Sequence, residues 1–310
     1  MFTDMSVSGV VFLDKPLGWT SRRAVNEMMR LFSKAGKKRI KAGHGGTLDP
    51  LATGMLPILL GEATRFAELG LHAEKRYTVS FDLSYQTDTL DCEGDVLERF
   101  KSSANLNDIK TLIPTFVGEQ QQVPPLYSAI RVNGKRAHAI AREGGDVVLA
   151  ARSICIHRIE LLGFDFPTVT LDVHCSKGTY IRSLARDIGQ ALGLGGCVTM
   201  LRRTSTGAWP EAMMVSMEQV QADAASAVLP LRQWLRDFSD IQLSEHETKR
   251  FLNGQRIQMD MKMSGDVVVM YGDILLGTAC LKAGQHRQVL HPIRILPSAQ
   301  HLMLNSKGSE

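Results

Sequence analysis

Disulfide chemistry has little to work with in this chain. Its five cysteines, Cys92, Cys155, Cys175, Cys197 and Cys280, are odd in number, widely spaced and free of any C-x-x-C pair. That pattern reads as reduced thiols of a cytoplasmic protein and excludes a disulfide scaffold. No apolar run approaches the roughly 20 residues that cross a bilayer as a helix. The opening MFTDMSVSGVVFLD has no basic leader before its short apolar stretch, so neither secretion nor membrane insertion is expected. None of the nine histidines joins a Cys or Glu at H-E-x-x-H or zinc-finger spacing, and no metal is expected. G-x-x-x-x-G-K-[ST], G-x-G-x-x-G and G-x-S-x-G are all missing, which leaves nucleotide cofactors and Ser-His-Asp hydrolysis without support. No cofactor is expected.

What the chain does have is ordinary globular composition. With 310 residues, 44% hydrophobic and 22% charged, it folds as one large domain with a smaller one, or as two of moderate size. A net charge of +4 decides nothing, but its distribution is uneven. Between positions 22 and 41 stand Arg22, Arg23, Arg30, Lys34, Lys37, Lys38, Arg39 and Lys41 against the single acid Glu27. A solvated helix end and a phosphate-binding surface both account for that run.

Periodicity gives a coarse outline. GVVFLDKP reads as a buried strand and TSRRAVNEMMRLF as an amphipathic helix capped at Thr20 or Ser21. RYTVSFDLS places Tyr77, Val79, Phe81 and Leu83 on one strand face. An acidic turn region follows over 88–95, then a short helix in NDIKTLIPTF that should stop at Pro114. VPPLYSAIRVNGKRAHAIAREGG reads as a strand, an Asn-Gly turn and a basic helix. Strands SICIHRIELL and TVTLDVHCS, the second with Thr168, Thr170, Asp172 and His174 on its polar face, precede a glycine turn and helix in KGTYIRSLARDIGQALG. Helices on either side of Pro230 lead to a boundary near 239–243 and a strand-rich C-terminal module. Strands of mixed spacing with helices between them predict an α+β fold with a mixed, largely antiparallel sheet.

The stretch GHGGTLDPLATG, at 43–54, is the chemically suggestive one. Pro50 disfavours the helical region for Asp49, and the glycines permit close backbone approach. Read alone, this is turn chemistry as readily as a site. Together with YSAIRVNGKRAH, CSKGTYIRSLARDIG and LRRTSTG, in this order and at these separations, it resembles the bacterial tRNA pseudouridine synthase B family, TruB, nearly residue for residue. The resemblance spans residues 8–209. The family converts uridine 55 in the T loop of tRNA to pseudouridine.

What the resemblance implies is a site. Asp49 matches the essential carboxylate, Arg182 in GTYIRS the arginine that pairs with it, and Tyr77 in KRYTV the tyrosine that stacks on the target base. His44 matches the histidine that fills the space left by the extruded base. Tyr180 and Leu201 match pocket residues, and Lys15 a lysine-proline pair that supports the catalytic loop. Arg131, Lys135, Arg136 and Arg142 fall in a basic thumb insertion at about 124–148, where they would contact phosphates, and the thumb is expected to be mobile before RNA binds. The domain plan is a catalytic domain over 1–240, a PUA-like RNA-binding module over 241–298 and a flexible tail over 299–310. The expected partner is the T arm of tRNA, with no obligatory protein partner, no membrane, and a monomeric enzyme.

Breaking the N1–C1′ bond develops positive charge on the sugar, which an ionised carboxylate stabilises or attacks. A glycal route, in which a proton leaves C2′, is equally compatible with the residues. Two departures from the family pattern stand out: His138 where the thumb has an aromatic, and Ser84 in place of a glycine after the Tyr77 strand. Two rivals remain at this level: a protein that binds or folds RNA without catalysis, and a guide-RNA-dependent isomerase.

Overall fold

The structure is a computed structural model that describes residues 7–33, 39–128, 131–132, 135–136, 149–284 and 287–305. Its main sheet is built from β1 (Gly9–Lys15), β2 (Ala42–His44), β3 (Ala52–Leu60) and β4 (Lys75–Asp82), followed by a small acidic hairpin of β5 (Tyr85–Thr87) and β6 (Val96–Arg99). Then come β7 (Gly118–Gln122), the paired β8 (Arg131–Val132) and β9 (Lys135–Arg136), and the long strands β10 (Arg152–Asp165), β11 (Thr168–Cys175) and β12 (Cys197–Thr206), with β13 (Trp209–Pro210) at the end. The strand order is β1-β3-β12-β4-β11-β10-β7, with β2 added to β3 and β13 to β12. Among the described strands of this sheet only the β3–β12 pair is parallel. The α+β architecture and the largely antiparallel mixed sheet are as expected.

Helix Ser21–Phe32 buries Ala24, Val25 and Met28 against the sheet, and Thr20 caps it by accepting from the Arg23 N–H. Helix Ile181–Ala191 buries Ile181, Leu184, Ala185 and Ile188. Both contribute to a core filled by β4, β11 and β12 residues such as Val79, Phe81, Leu171 and Val198.

A second sheet of β14 (Ser239–Gln242), β15 (Ile257–Met259), β16 (Gly265–Tyr271), β17 (Ile274–Ala283) and β18 (Gln288–Ile295) runs in the order β14-β16-β17-β18-β15. It shares one apolar cluster with the first sheet. Phe12 of β1 and Met55 of β3 pack with Trp209, Trp234, Val268 and Leu276 in a continuous core, and the indoles of Trp209 and Trp234 stack at 4.2 Å.

Several local expectations change. The α-helix Leu106–Leu112 does stop ahead of Pro114, but the chain continues into a 3-10 turn, Ile113–Phe116, with Pro114 near its start, where a missing N–H leaves no intrahelical bond unmade. Asp172, on the polar face of β11, is buried, because Arg76 of β4 donates to it at 2.7 Å. The stretch assigned to a flexible tail starts inside the helix Pro297–Asn305, and Ala299 is buried. Ser84 fits its bend by donating to Asp82 from both its amide and its hydroxyl. In the thumb segment the β8–β9 pairing is described. The Asn-Gly turn, the basic helix, Arg142 and His138 lie outside the described residues, as do the side chains of Arg131, Lys135 and Arg136, and so do Lys34, Lys37 and Lys38.

Candidate active site

The loop between β2 and β3 carries Asp49, and its backbone is held from several directions. Ser21, at the start of the first helix, donates its hydroxyl to the Leu48 carbonyl and accepts from the Leu48 amide, at 3.0 and 2.8 Å. The fully buried Lys15 ammonium donates to the carbonyls of Pro16, Trp19 and Pro50. The Gly18 amide adds a second bond to Pro50. From β12, Arg203 donates through Nε to Met55 and through its two Nη atoms to Thr47 and Gly46, at 2.7, 3.3 and 3.1 Å. Six side-chain bonds thus address main-chain groups of residues 46–50 and Met55, so Asp49 is presented by a rigid loop.

Asp49 faces the N-terminal turn of the helix Ile181–Ala191. Arg182 Nη2 lies 2.9 Å from Asp49 Oδ2, and Nη1 lies 3.4 Å from Asp91 Oδ2. The same guanidinium donates to the carbonyls of Thr89 and Tyr127. Arg182 is 5% exposed and Asp49 34%, so the cation is fixed in the wall and the carboxylate reaches the open space. That space is a cavity of about 290 Å³, close to the lower bound, roughly 300 Å³, of small-ligand pockets. Asp49, Tyr77, Tyr180, Arg182 and Leu201 all line it.

Register explains the gathering. β4 and β12 pair with Tyr77 opposite Arg203 and Val79 opposite Leu201, so period-2 alternation sends Lys75 and Tyr77 to the same face. Burial pushes the Tyr77 phenol up, and the Arg203 guanidinium beside it pulls it partly back. Burial, reinforced by the Arg203 charge, pushes Lys75 down to about 8, and its ammonium donates to the carbonyls of Gly70, Leu71 and Ala73. Burial likewise takes Lys15 down to about 8. Across the cavity, Gln122 of β7 clamps the Tyr180 backbone through both its amide nitrogen and its amide oxygen. The Arg152 guanidinium lies 4.5 Å over the Tyr180 ring. The Cys175 thiol beneath Lys75 is pushed up to about 12 by burial, which removes it as a nucleophile.

The sequence of this chain matches known proteins over most of its length. Residues 33–181 match the TruB family pseudouridylate synthase (N terminal domain), and residues 182–238 match the tRNA pseudouridylate synthase B C-terminal domain. A protein of Ralstonia pickettii (strain 12J) named tRNA pseudouridine synthase B is 41% identical over 94% of both chains. This chain belongs to the TruB family. A second tRNA pseudouridine synthase B, from Actinobacillus succinogenes, is 41% identical over 88% of this chain and 87% of its own. Among solved structures, a chain of a Cbf5-Nop10-Gar1 complex superposes with a TM-score of 0.69 over 93% of this chain and 84% of that one, at 24% identity, a likeness of fold.

Of the residues singled out in this TruB-family sequence, Asp49, Tyr77, Tyr180, Arg182 and Leu201 converge on the cavity. Lys15 is outside it and holds the loop from behind. His44 ends β2 just before the loop, also outside the lining. Its Nδ1 accepts from the Gly46 amide at 3.4 Å, and burial together with the Arg203 charge holds its pKa below the usual imidazole value. Sequence reasoning missed Lys75, Asp91, Gln122, Arg152 and Arg203. For two of them a signal was present. Lys75 shares strand parity with Tyr77, and only one of Arg202 and Arg203 can point outward from a strand. Arg202 does, pairing with Asp14 and Glu211.

Proposed function

We propose that this chain isomerises uridine 55 in the T loop of tRNA to pseudouridine, with Asp49 as the catalytic carboxylate. The observation that carries the reading is the 2.9 Å pair of Asp49 and Arg182 in the wall of a one-nucleotide cavity that Tyr77 also lines. The names of the tRNA pseudouridine synthase B relatives supply the substrate class.

A uridine in a folded loop reaches such a cavity only after extrusion, at an unstacking cost of a few kcal/mol. Tyr77 offers an aromatic face to the flipped base, Leu201 and Tyr180 close the sides, and His44 stands beside the loop where it can fill the vacated stack. Cleavage of N1–C1′ leaves a cationic sugar next to Asp49. The base turns, C5 bonds to C1′, the C5 proton leaves and N1 takes up a proton. Asp49 serves equally as the nucleophile at C1′ or as the base at C2′, and Arg182 holds it in either role. Arg131, Lys135, Arg136 and Arg142 of the thumb and the exposed Arg22 and Arg23 would meet phosphates. The second sheet would add a PUA-like RNA contact. The enzyme would act in the cytoplasm as a monomer without cofactor, metal or protein partner.

Tritium release from a tRNA transcript labelled at C5 of uridine, with no other protein present, tests the reading. Wild type should release one equivalent, Asp49→Asn less than about 10⁻³ of that rate, and changing the T-loop uridine to cytidine should abolish release. RNA binding without release by the wild type would defeat the proposal.

A further inference from the structure

Arg203 and Lys75 are a chemical oddity of the cavity. Both line it, and both are buried, Arg203 at 1% exposure and Lys75 at 7%. Arg182, in the same wall, pairs with Asp49 and Asp91. Among the described residues neither Arg203 nor Lys75 has a carboxylate partner; each spends three donors on backbone carbonyls. A buried cation without an opposite charge is costly to keep, and the fold keeps two side by side on strands β4 and β12. Their carbonyl bonds fix them in place, so their field is set before any substrate arrives.

We propose that Arg203 and Lys75 form a cationic floor that stabilises the uracil base as an anion during isomerisation. This rests on the reaction proposed above. When N1–C1′ breaks, the electron pair stays with the base, which becomes an anion delocalised over N1, O2 and O4, while C1′ becomes electron-poor beside Asp49. When C5–C1′ forms, that pair becomes the new carbon–carbon bond, after which the C5 proton leaves and a proton is taken up at N1. The base is neutral before cleavage and neutral again in the product, once the C5 proton has left and N1 has taken one up, so a fixed positive field lowers the barrier without tightening ground-state binding. The charges are sorted by wall: the anion Asp49 beside the sugar, the cations beneath the base. Both the nucleophilic and the glycal routes pass through this departure.

The test compares single-turnover rates of wild type, Arg203→Gln and Lys75→Met on tRNA transcripts carrying uridine or 5-fluorouridine, following the loss of the N-glycosidic nucleoside by chromatography after nuclease digestion. Fluorine stabilises the base anion by itself. With uridine, each variant should be slower by about 10²-fold, the lower range for removing one preorganised electrostatic group, with tRNA affinity by filter binding within twofold. With 5-fluorouridine the deficit should shrink at least fivefold. Equal deficits on the two substrates would mean a structural role only, and weakened tRNA binding with an unchanged rate would mean a binding role. Either result overturns the proposal. Lys75→Met is the second arm should Arg203→Gln fail to fold, and a wild type with no preference between the two bases would also count against anion stabilisation. Absence of any reaction by the wild type would instead reject the pseudouridine synthase reading.

Discussion

At the residue scale, the titration of Lys75 separates catalysis from stability. It faces Arg203 from β12, Cys175 from β11 and Lys177 from the turn that follows, and burial has already brought its pKa to about 8. The wild-type rate should therefore fall as pH rises through about 8, and Lys75→Met, slower throughout, should lack that part of the limb. Stability has the opposite sign. The unfolded chain keeps this proton up to about 10.5 while the folded chain releases it near 8, so between those values the unfolded state holds more protons and rising pH favours folding. The melting temperature of wild type relative to Lys75→Met should climb across this window while activity declines. A constant difference would show that the lysine is not depressed. Lys75 and Arg203 left only the signal of strand parity in the sequence, because a buried cation bonded to carbonyls has no partner motif to find.

At the scale of the element, β3 is the instructive strand. Gly54 sits at φ +92, and a Cβ there would meet the Arg203 carbonyl oxygen at 2.3 Å. The parallel approach of β3 to β12 therefore depends on this glycine, and Gly54→Ala should cost roughly 2–4 kcal/mol, from backbone strain and a forced separation of strands. Urea unfolding checks this, and a loss below about 0.5 kcal/mol would show that the strands separate freely. The same feature explains what could be read in advance. β4, with Tyr77, Val79 and Phe81, announces itself by alternation, and the helix at Ser21–Phe32 by its spacing and its Thr20 cap. β3 contains Gly54 and Pro57, which break every strand pattern, although Pro57 pairs with Phe12 in the middle of the sheet. The cavity residues Asp49, Tyr77 and Arg182 were legible through their motifs. Asp91 and Gln122 were not, because what they do depends on which turn the fold brings beside them.

At the scale of the whole molecule, the two sheets are joined by Trp234, which is 1% exposed, stacks on Trp209 and donates its indole N–H to the Phe66 carbonyl. Trp234→Ala should cost about 3–5 kcal/mol and lower a single thermal transition reported alike by far-ultraviolet circular dichroism and by loss of tRNA isomerisation. Two separated transitions would show that the sheets melt independently. The indole edge also lies close beneath Gly45, where a Cβ would be 3.2 Å away, so the far core reaches the loop that presents Asp49. The supports of that loop come from Lys15, Ser21, Arg203 and Trp234, positions spread along the chain from 15 to 234. This sets an order of events during synthesis. A nascent chain that has emerged only as far as residue 196 already carries Asp49, Tyr77 and Arg182, yet it has none of the β12 bracing and no tryptophan beneath the loop. The carboxylate is thus made early, and the strand and the indole that brace its loop are made late.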